Sequence, residues 1–290
     1  MPPVFQRTVT LLTLGVVLVA CAPGTPAPVT PTAILSGPSA LSLAVAANDF
    51  AVGQPRIPFV LFRGAEPVAD AVAIELTAFD LASGTPVPGW TGAAAAYNDY
   101  DIPYWVVYPD MPHAGYWGLG AVVTLADGTQ SPAQFTVEVL ADPSAPVAGE
   151  AVPATRNRTL DTQPDIAAIT SDPQPEPELY RLTVADALAS GQPSVITLAT
   201  PGFCESRLCA PVVDSLKALR PEFAGQANFI HIEIYQSFSP LVYGPEMDEW
   251  GLPSEPWTFV LNADGVVVAR LAGPVSPQEL RAILAPVVAG

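Results

Sequence analysis

Residues 141 to 178 open as ADPSAPVAGE, close as SDPQPEPE, and are crowded with proline and acids without any sustained apolar rhythm. Proline fixes φ and donates no hydrogen bond, so neither a helix interior nor a central strand runs through such a stretch. The chain is therefore expected to fold as two units on either side of it, residues 36–140 and residues 179–290. A length of 290 residues agrees with two domains. The segment itself reads either as a flexible linker or as a strap along the second unit, since DIAAIT carries some apolar content.

The first unit reads as all β. ALSLAVA, RIPFVLFR, AVAIELTAF, YWVVYP, YWGLGAVVTL and AQFTVEVL are apolar or alternating runs rich in Val, Phe, Tyr and Trp. Turn clusters such as RGAEPVAD, LASGTPVPG and LADGTQS separate them, and helical periodicity is missing throughout. Six or seven short strands at this spacing predict an antiparallel β-sandwich similar to immunoglobulin-like domains, without the disulfide of antibody domains.

From Tyr180 the rhythm changes. TVADALAS predicts a short helix opened by Thr183, and SVITLAT a buried strand. In APVVDSLKALRPEFA, the apolar residues Val212, Val213, Leu216 and Leu219 fall at helical spacing. NFIHIEIY follows as a strand, and WTFVLNADGVVVARLAG as a hairpin turning at Asn262 to Gly265. Ser276-Pro277-Gln278-Glu279 predicts a helix start, with an N-cap serine and a glutamate closing a capping box. The order is β-α-β, then β-β-α.

Residues 1–21 read as a targeting leader. Arg7 precedes an apolar run from Thr8 to Val19, shorter than a membrane span, that ends in Leu18-Val19-Ala20-Cys21. LVAC resembles the lipobox of bacterial lipoproteins, which implies lipidation at Cys21, anchoring to the cell membrane from outside the cytoplasm, and a Pro/Thr tether over 22–35. An ordinary secretory signal with an incidental cysteine is the competing reading. The net charge of -17, from 28 acids and 11 bases, sets the chain against nucleic acid and anionic surfaces. With Cys21 assigned to lipid, two of the three cysteines remain, Cys204 and Cys209, in a compartment that permits disulfides.

The β-α-β, β-β-α order with cysteines after the first strand resembles the thioredoxin-like fold over Leu182 to Val288. PSEPWTFVLNADGVVVAR is similar to the segment where that family carries a cis-proline beside its cysteine pair. By position this proline is Pro256, with Pro253 competing. The resemblance implies thiol–disulfide exchange with exported protein thiols or disulfides, no bound cofactor, Cys204 as attacking thiol and Cys209 as resolving thiol. This chain departs from the family in three ways: CxxxxC replaces CxxC, Phe203 stands where a tryptophan is common, and SVITLAT lacks the family's buried acid. Thr200 lies one residue too far from Cys204 for the peroxiredoxin pattern, and the copper-delivering relatives' CxxxC is off by one.

Residues five apart on a regular helix have Cα atoms roughly 8–9 Å apart, too far for a disulfide. A bond requires Cys204 in the loop and Cys209 in the first helical turn, where helix N–H groups favour thiolate. Arg207 would add to that effect, and Glu205 would oppose it. A structural staple closing so short a loop contributes only about 2 kcal/mol, little for a unit that already has a core. His231, by resemblance on the strand beside the cysteines, is placed to tune them or to join Cys204 and Cys209 as a copper ligand. The same histidine equally reads as a hydrogen-bonded core residue, and His113 beside Met111 as turn residues. The competing readings are a non-catalytic interaction lipoprotein and a copper-handling protein of the exported-oxidase assembly type. Residues 236 to 257, with Phe238, Tyr243, Met247 and Trp250, predict either a wall over the partner groove or an extra packed helix.

Overall fold

The computed structural model describes residues 40–100, 102–204 and 209–290. The leader, the tether, Cys21, Glu205 and Arg207 lie outside the described residues. The fold is β-rich with few helices, and no described helix is long and apolar enough to cross a membrane.

In chain order the first part carries β1 (Leu41–Val45), β2 (Phe50–Ala51), β3 (Ile57–Arg63), β4 (Glu66–Pro67) and β5 (Ala71–Asp80). It continues with β6 (Val87–Ala93), β7 (Ala95–Tyr97), β8 (Tyr104–Val107), β9 (Gly115–Leu125) and β10 (Gln130–Leu140). One sheet has the order β1-β3-β8-β7, with β4 on β3, and the other β2-β10-β9-β5-β6. Their inner faces share one core, in which Phe59, Leu61 and Trp105 of the first meet Leu76, Trp117 and Leu119 of the second. Period-2 alternation makes this possible, because each strand turns every other side chain inward. The pairing is not antiparallel throughout: short β2 runs parallel to β10.

The second part carries α1 (Val184–Ala189), β11 (Ser194–Ala199), α2 (Cys209–Leu219), β12 (Asn228–Glu233), β13 (Tyr235–Phe238) and β14 (Leu241–Tyr243). After these come α3 (Glu246–Glu249), β15 (Trp257–Leu261), β16 (Val267–Ala272) and α4 (Pro277–Ala289). The main sheet has the order β12-β11-β15-β16, with β11 parallel to β12 and the other pairs antiparallel. All six residues of β11 are buried, as a strand covered on both faces requires. Val195 and Ala199 face the core built with α2 and α4, and Ile196 and Leu198 face the core built with α1 and Trp250.

Residues 141–178 form a strap with specific anchors. Asp49 accepts from the Ser144 amide and hydroxyl, Trp250 Nε1 donates to Thr155 Oγ1 at 2.8 Å, and Asn157 Oδ1 accepts from the Val184 amide at 2.9 Å. Gly251 and Gly273 have positive φ, and an added Cβ would meet the Ser144 carbonyl oxygen at 2.2 Å and that of Ala46 at 2.1 Å. Only glycine fits both the conformation and the approach.

The first part is tied to α4 by a buried ion pair. Arg56 donates to Glu279 through Nε at 2.6 Å and Nη2 at 2.8 Å, and to the Ala272 carbonyl at 2.8 Å. Tyr104 Oη donates to Glu279 at 2.7 Å and accepts from the Ser276 amide at 2.7 Å. The expected capping box is therefore half made. Ser276 Oγ does accept from the Glu279 amide, but the Glu279 carboxylate turns to Arg56 and leaves the Ser276 amide to Tyr104. A buried guanidinium needs a counter-charge more than a helix end needs its second cap.

Candidate active site

Cys204 and Cys209 are joined by a disulfide with Cα atoms 6.0 Å apart. Cys209 is the first residue of α2 and fully buried, whereas Cys204 lies in the loop after β11 and is half-buried. The Cys209 amide points at Cys204 Sγ from 3.4 Å, so the positive end of the helix faces the outer sulfur. Pro211 sits in the first turn, where its missing N–H costs nothing.

An acid reaches the cysteine pair from the segment before β15. Glu255, half-buried, places Oε2 3.3 Å from Cys209 Sγ and accepts the Thr200 amide at 2.9 Å with the same oxygen. Burial pushes its carboxyl up to about 7; the Thr200 amide opposes the shift, and repulsion from Glu233 adds to it. Near neutral pH this group is therefore divided between a proton-holding acid and a carboxylate. Its peptide bond to Pro256 is cis, the other cis bond among the described residues being Ser239–Pro240; Pro253 follows a trans bond.

The strap buttresses the loop from behind. Ser171 Oγ accepts the Gly202 amide at 2.9 Å and donates to Glu233 Oε2 at 2.5 Å. An added Cβ at Gly202 would lie 2.8 Å from the Ser171 carbonyl oxygen, so the two segments touch backbone to backbone.

His231 is not part of the cluster. It is buried, its Nε2 donates to the Ala199 carbonyl at 3.2 Å, and its Nδ1 accepts from Tyr180 Oη at 2.7 Å. Burial lowers its pKa, which favours the neutral ring, and the Ala199 carbonyl holds the proton on Nε2. The expected copper set of Cys204, Cys209 and His231 is corrected accordingly: both ring nitrogens are spent. Glu255, not His231, completes a donor set with the two sulfurs, all within 4.8 Å of one another. His113 Nε2 pairs with Asp80 at 3.0 Å on the far sheet, as a turn residue. Arg207 lies outside the described residues.

The stretch after β12 contains the expected short helix and, ahead of it, a hairpin. Strands β13 and β14 form a separate two-stranded hairpin, and α3 leads into buried Trp250. The hairpin rings continue from the cysteine loop: Phe203 lies 5.5 Å from Phe238 and 6.0 Å from Tyr235, which stacks on Tyr243 at 4.8 Å. Sequence reasoning missed Glu255, Ser171 and Glu233. The available signal for Glu255 was its place directly before Pro256, the proline expected to be cis.

No family model matches the chain. Among solved structures it is similar to a thioredoxin-family thiol:disulfide interchange protein from Chlorobium tepidum TLS, with 13% identity over 51% of this chain and 99% of that one and a TM-score of 0.32. StoA from Bacillus subtilis overlaps 32% of this chain and 83% of its own at 16% identity, TM-score 0.27. CopC from Methylosinus trichosporium OB3b overlaps 34% and 92% at 16% identity, TM-score 0.23. These overlaps are partial and distant.

Proposed function

We propose that the chain is an exported, lipid-anchored thiol–disulfide oxidoreductase acting on exported proteins, with a thioredoxin-like domain from 179 to 290 and an immunoglobulin-like domain from 36 to 140 that positions it. The observation that carries this reading is the polarity of the disulfide: a partly buried Cys204 in the loop, a fully buried Cys209 at the helix start, and a carboxyl of raised pKa against the Cys209 sulfur.

The chemistry follows from that polarity. A partner thiolate attacks Cys204 Sγ, the sulfur it can reach, and the Cys204–Cys209 bond breaks. The electron pair leaves on Cys209, and the proton of Glu255 moves to that sulfur. A second partner thiol, deprotonated, then attacks the partner sulfur of the mixed disulfide and frees Cys204 as thiolate. Two electrons pass from the partner dithiol to the protein disulfide, and the same steps reversed reduce a partner. The relative potentials set the direction, and no bound cofactor enters.

A reduction potential within roughly -120 to -270 mV, measured by thiol trapping in glutathione buffers, is the expected result. A value below roughly -300 mV overturns the reading in favour of a structural staple and a non-catalytic interaction protein. A second reading, metal capture by the reduced form, is favoured by the two-sulfur, one-carboxylate donor set, which suits Zn(II). Its test is a Zn(II) titration of reduced protein against the Glu255→Gln variant, with tighter binding by the wild type expected.

A further inference from the structure

The hairpin beside the cysteines turns unusual side chains to solvent. Phe203, adjacent in the chain to Cys204, is 38% exposed, and Leu241, Val242 and Tyr243 are 46%, 41% and 59% exposed. Scattered exposed apolar residues need no explanation, but a row running from the reactive loop does. Phe203 packs on Tyr235, and Tyr235 stacks on Tyr243, so the row starts at the cysteine pair and ends at a groove. That groove, of about 570 Å³, is walled by Tyr243, Met247, Leu252 and Pro253, with Asp248 and Glu255 as its charged groups. Glu255, whose carboxyl touches Cys209, is thus one of the residues that line it.

Its charge is one-sided. Among the described residues that line it there is no lysine, arginine or histidine, in a chain of net charge -17. Arg158, which donates to the carbonyl oxygens of Tyr235 at 2.6 Å and Ala168 at 2.7 Å, keeps its charge but is not among the residues lining the groove. An acidic groove with apolar walls and one tyrosine repels acidic segments and offers a basic, bulky one both a counter-charge and apolar contact.

We propose that this groove docks the polypeptide segment flanking the partner's reacting cysteine, and that this segment is basic and apolar. The inference rests on the thiol–disulfide reading and names its substrate class. A chain seated along Phe203, Tyr235 and Tyr243 presents its sulfur to Cys204, places a bulky side chain against Met247 and Leu252, and leaves a cationic one at Asp248.

The test uses the oxidised full chain and two synthetic dithiol peptides with the same cysteine spacing, one flanked by Arg, Phe and Leu and one by Glu and Ser. Dithiothreitol, which has no flanks, is the reference reductant. Each peptide gives two electrons to the Cys204–Cys209 disulfide and closes its own disulfide. Rates are corrected for each reagent's thiolate fraction. The basic peptide is expected to react about tenfold faster than the acidic one at low salt, with the gap narrowing as salt rises. Asp248→Asn and Tyr243→Ala should each lower the ratio of basic-peptide rate to dithiothreitol rate about three- to tenfold. Equal peptide rates beside normal dithiothreitol reduction overturn the docking proposal and leave the exchange reading standing. A disulfide that dithiothreitol itself does not reduce overturns both. A Tyr243→Ala loss equal for peptide and dithiothreitol assigns Tyr243 to upkeep of the site and overturns its docking role.

Discussion

Replacing Glu255 by glutamine keeps the shape and the oxygen facing the Thr200 amide, and removes the only ionising group in contact with Cys209 Sγ among the described residues. In the wild type, burial holds this carboxyl near 7, so it is neutral below that pH and charged above it. Opening the disulfide puts negative charge on Cys209 Sγ. Below pH 7 that charge meets a proton donor, and above pH 7 it meets a carboxylate 3.3 Å away. At an effective dielectric of about 20, two full charges at that distance repel by about 5 kcal/mol. Partial charge in the transition state and water reaching the half-exposed carboxylate reduce this to about 1.5–3 kcal/mol, or roughly 10- to 100-fold in rate.

The assay is single-turnover reduction by dithiothreitol, stopped by alkylation, from pH 5.5 to 9. Dividing the observed rate by the thiolate fraction of the reductant removes the reagent's own pH dependence. The wild-type corrected rate should fall about 10- to 100-fold as pH rises, with its midpoint near 7. The glutamine variant should be flat across the same range. A flat wild-type profile, or a midpoint near 7 surviving in the variant, refutes the assignment of Glu255 as the proton-holding group.

Cys209→Ser should accumulate a partner joined covalently to Cys204, and Cys204→Ser should not, because only Cys204 is reachable; non-reducing gels with alkylation separate the two outcomes. Glu279→Ala strands the buried Arg56 guanidinium and should cost about 3–5 kcal/mol in urea unfolding, whereas Arg56→Met combined with Glu279→Leu should cost less than that single change. Gly273→Ala forces a Cβ to within 2.1 Å of the Ala46 carbonyl oxygen at φ +79° and should lose more than about 2 kcal/mol by thermal or urea unfolding.

Elements whose cause is local could be read from the sequence. The β-branched run at 194–199 forms a buried strand, helical spacing from Val212 to Leu219 forms α2, and the loop-then-helix placement of the two cysteines follows from the reach of a disulfide. Features decided by distant partners were not legible. Nothing near Glu279 shows that Arg56, more than two hundred positions away, takes its carboxylate from the capping box. Nothing near His231 shows that Tyr180 and Ala199 occupy both ring nitrogens. The parallel seat of β2 is likewise a tertiary result, since two residues carry no pairing signal of their own. Glu255 falls between these cases: its residue type was visible, but its meaning depends on the bend that brings residue 255 beside residue 209.

The position of that acid has a consequence for how docking and chemistry are joined. An acid on the strand beneath the cysteines would be sealed off from a partner, whereas Glu255 is at once a wall of the groove and the neighbour of Cys209. A segment lying in the groove takes water from the carboxyl, and burial is already the largest cause of its raised pKa. Glu233, which accepts from the Ser171 amide of the strap, adds repulsion. A cation placed on the carboxyl would act the other way, so the sign depends on whether the basic residue sits at Asp248 or at Glu255. Seated at Asp248, the basic peptide raises the midpoint of the rate profile above the value measured with dithiothreitol. The proton then stays on Glu255 at the moment Cys209 leaves. Seated at Glu255, the peptide lowers the midpoint, and the partner's cation takes over the stabilisation of the thiolate. The direction of that shift, read from two pH profiles on one protein, fixes the register of the partner in the groove, and no shift at all would break the link between docking and proton supply.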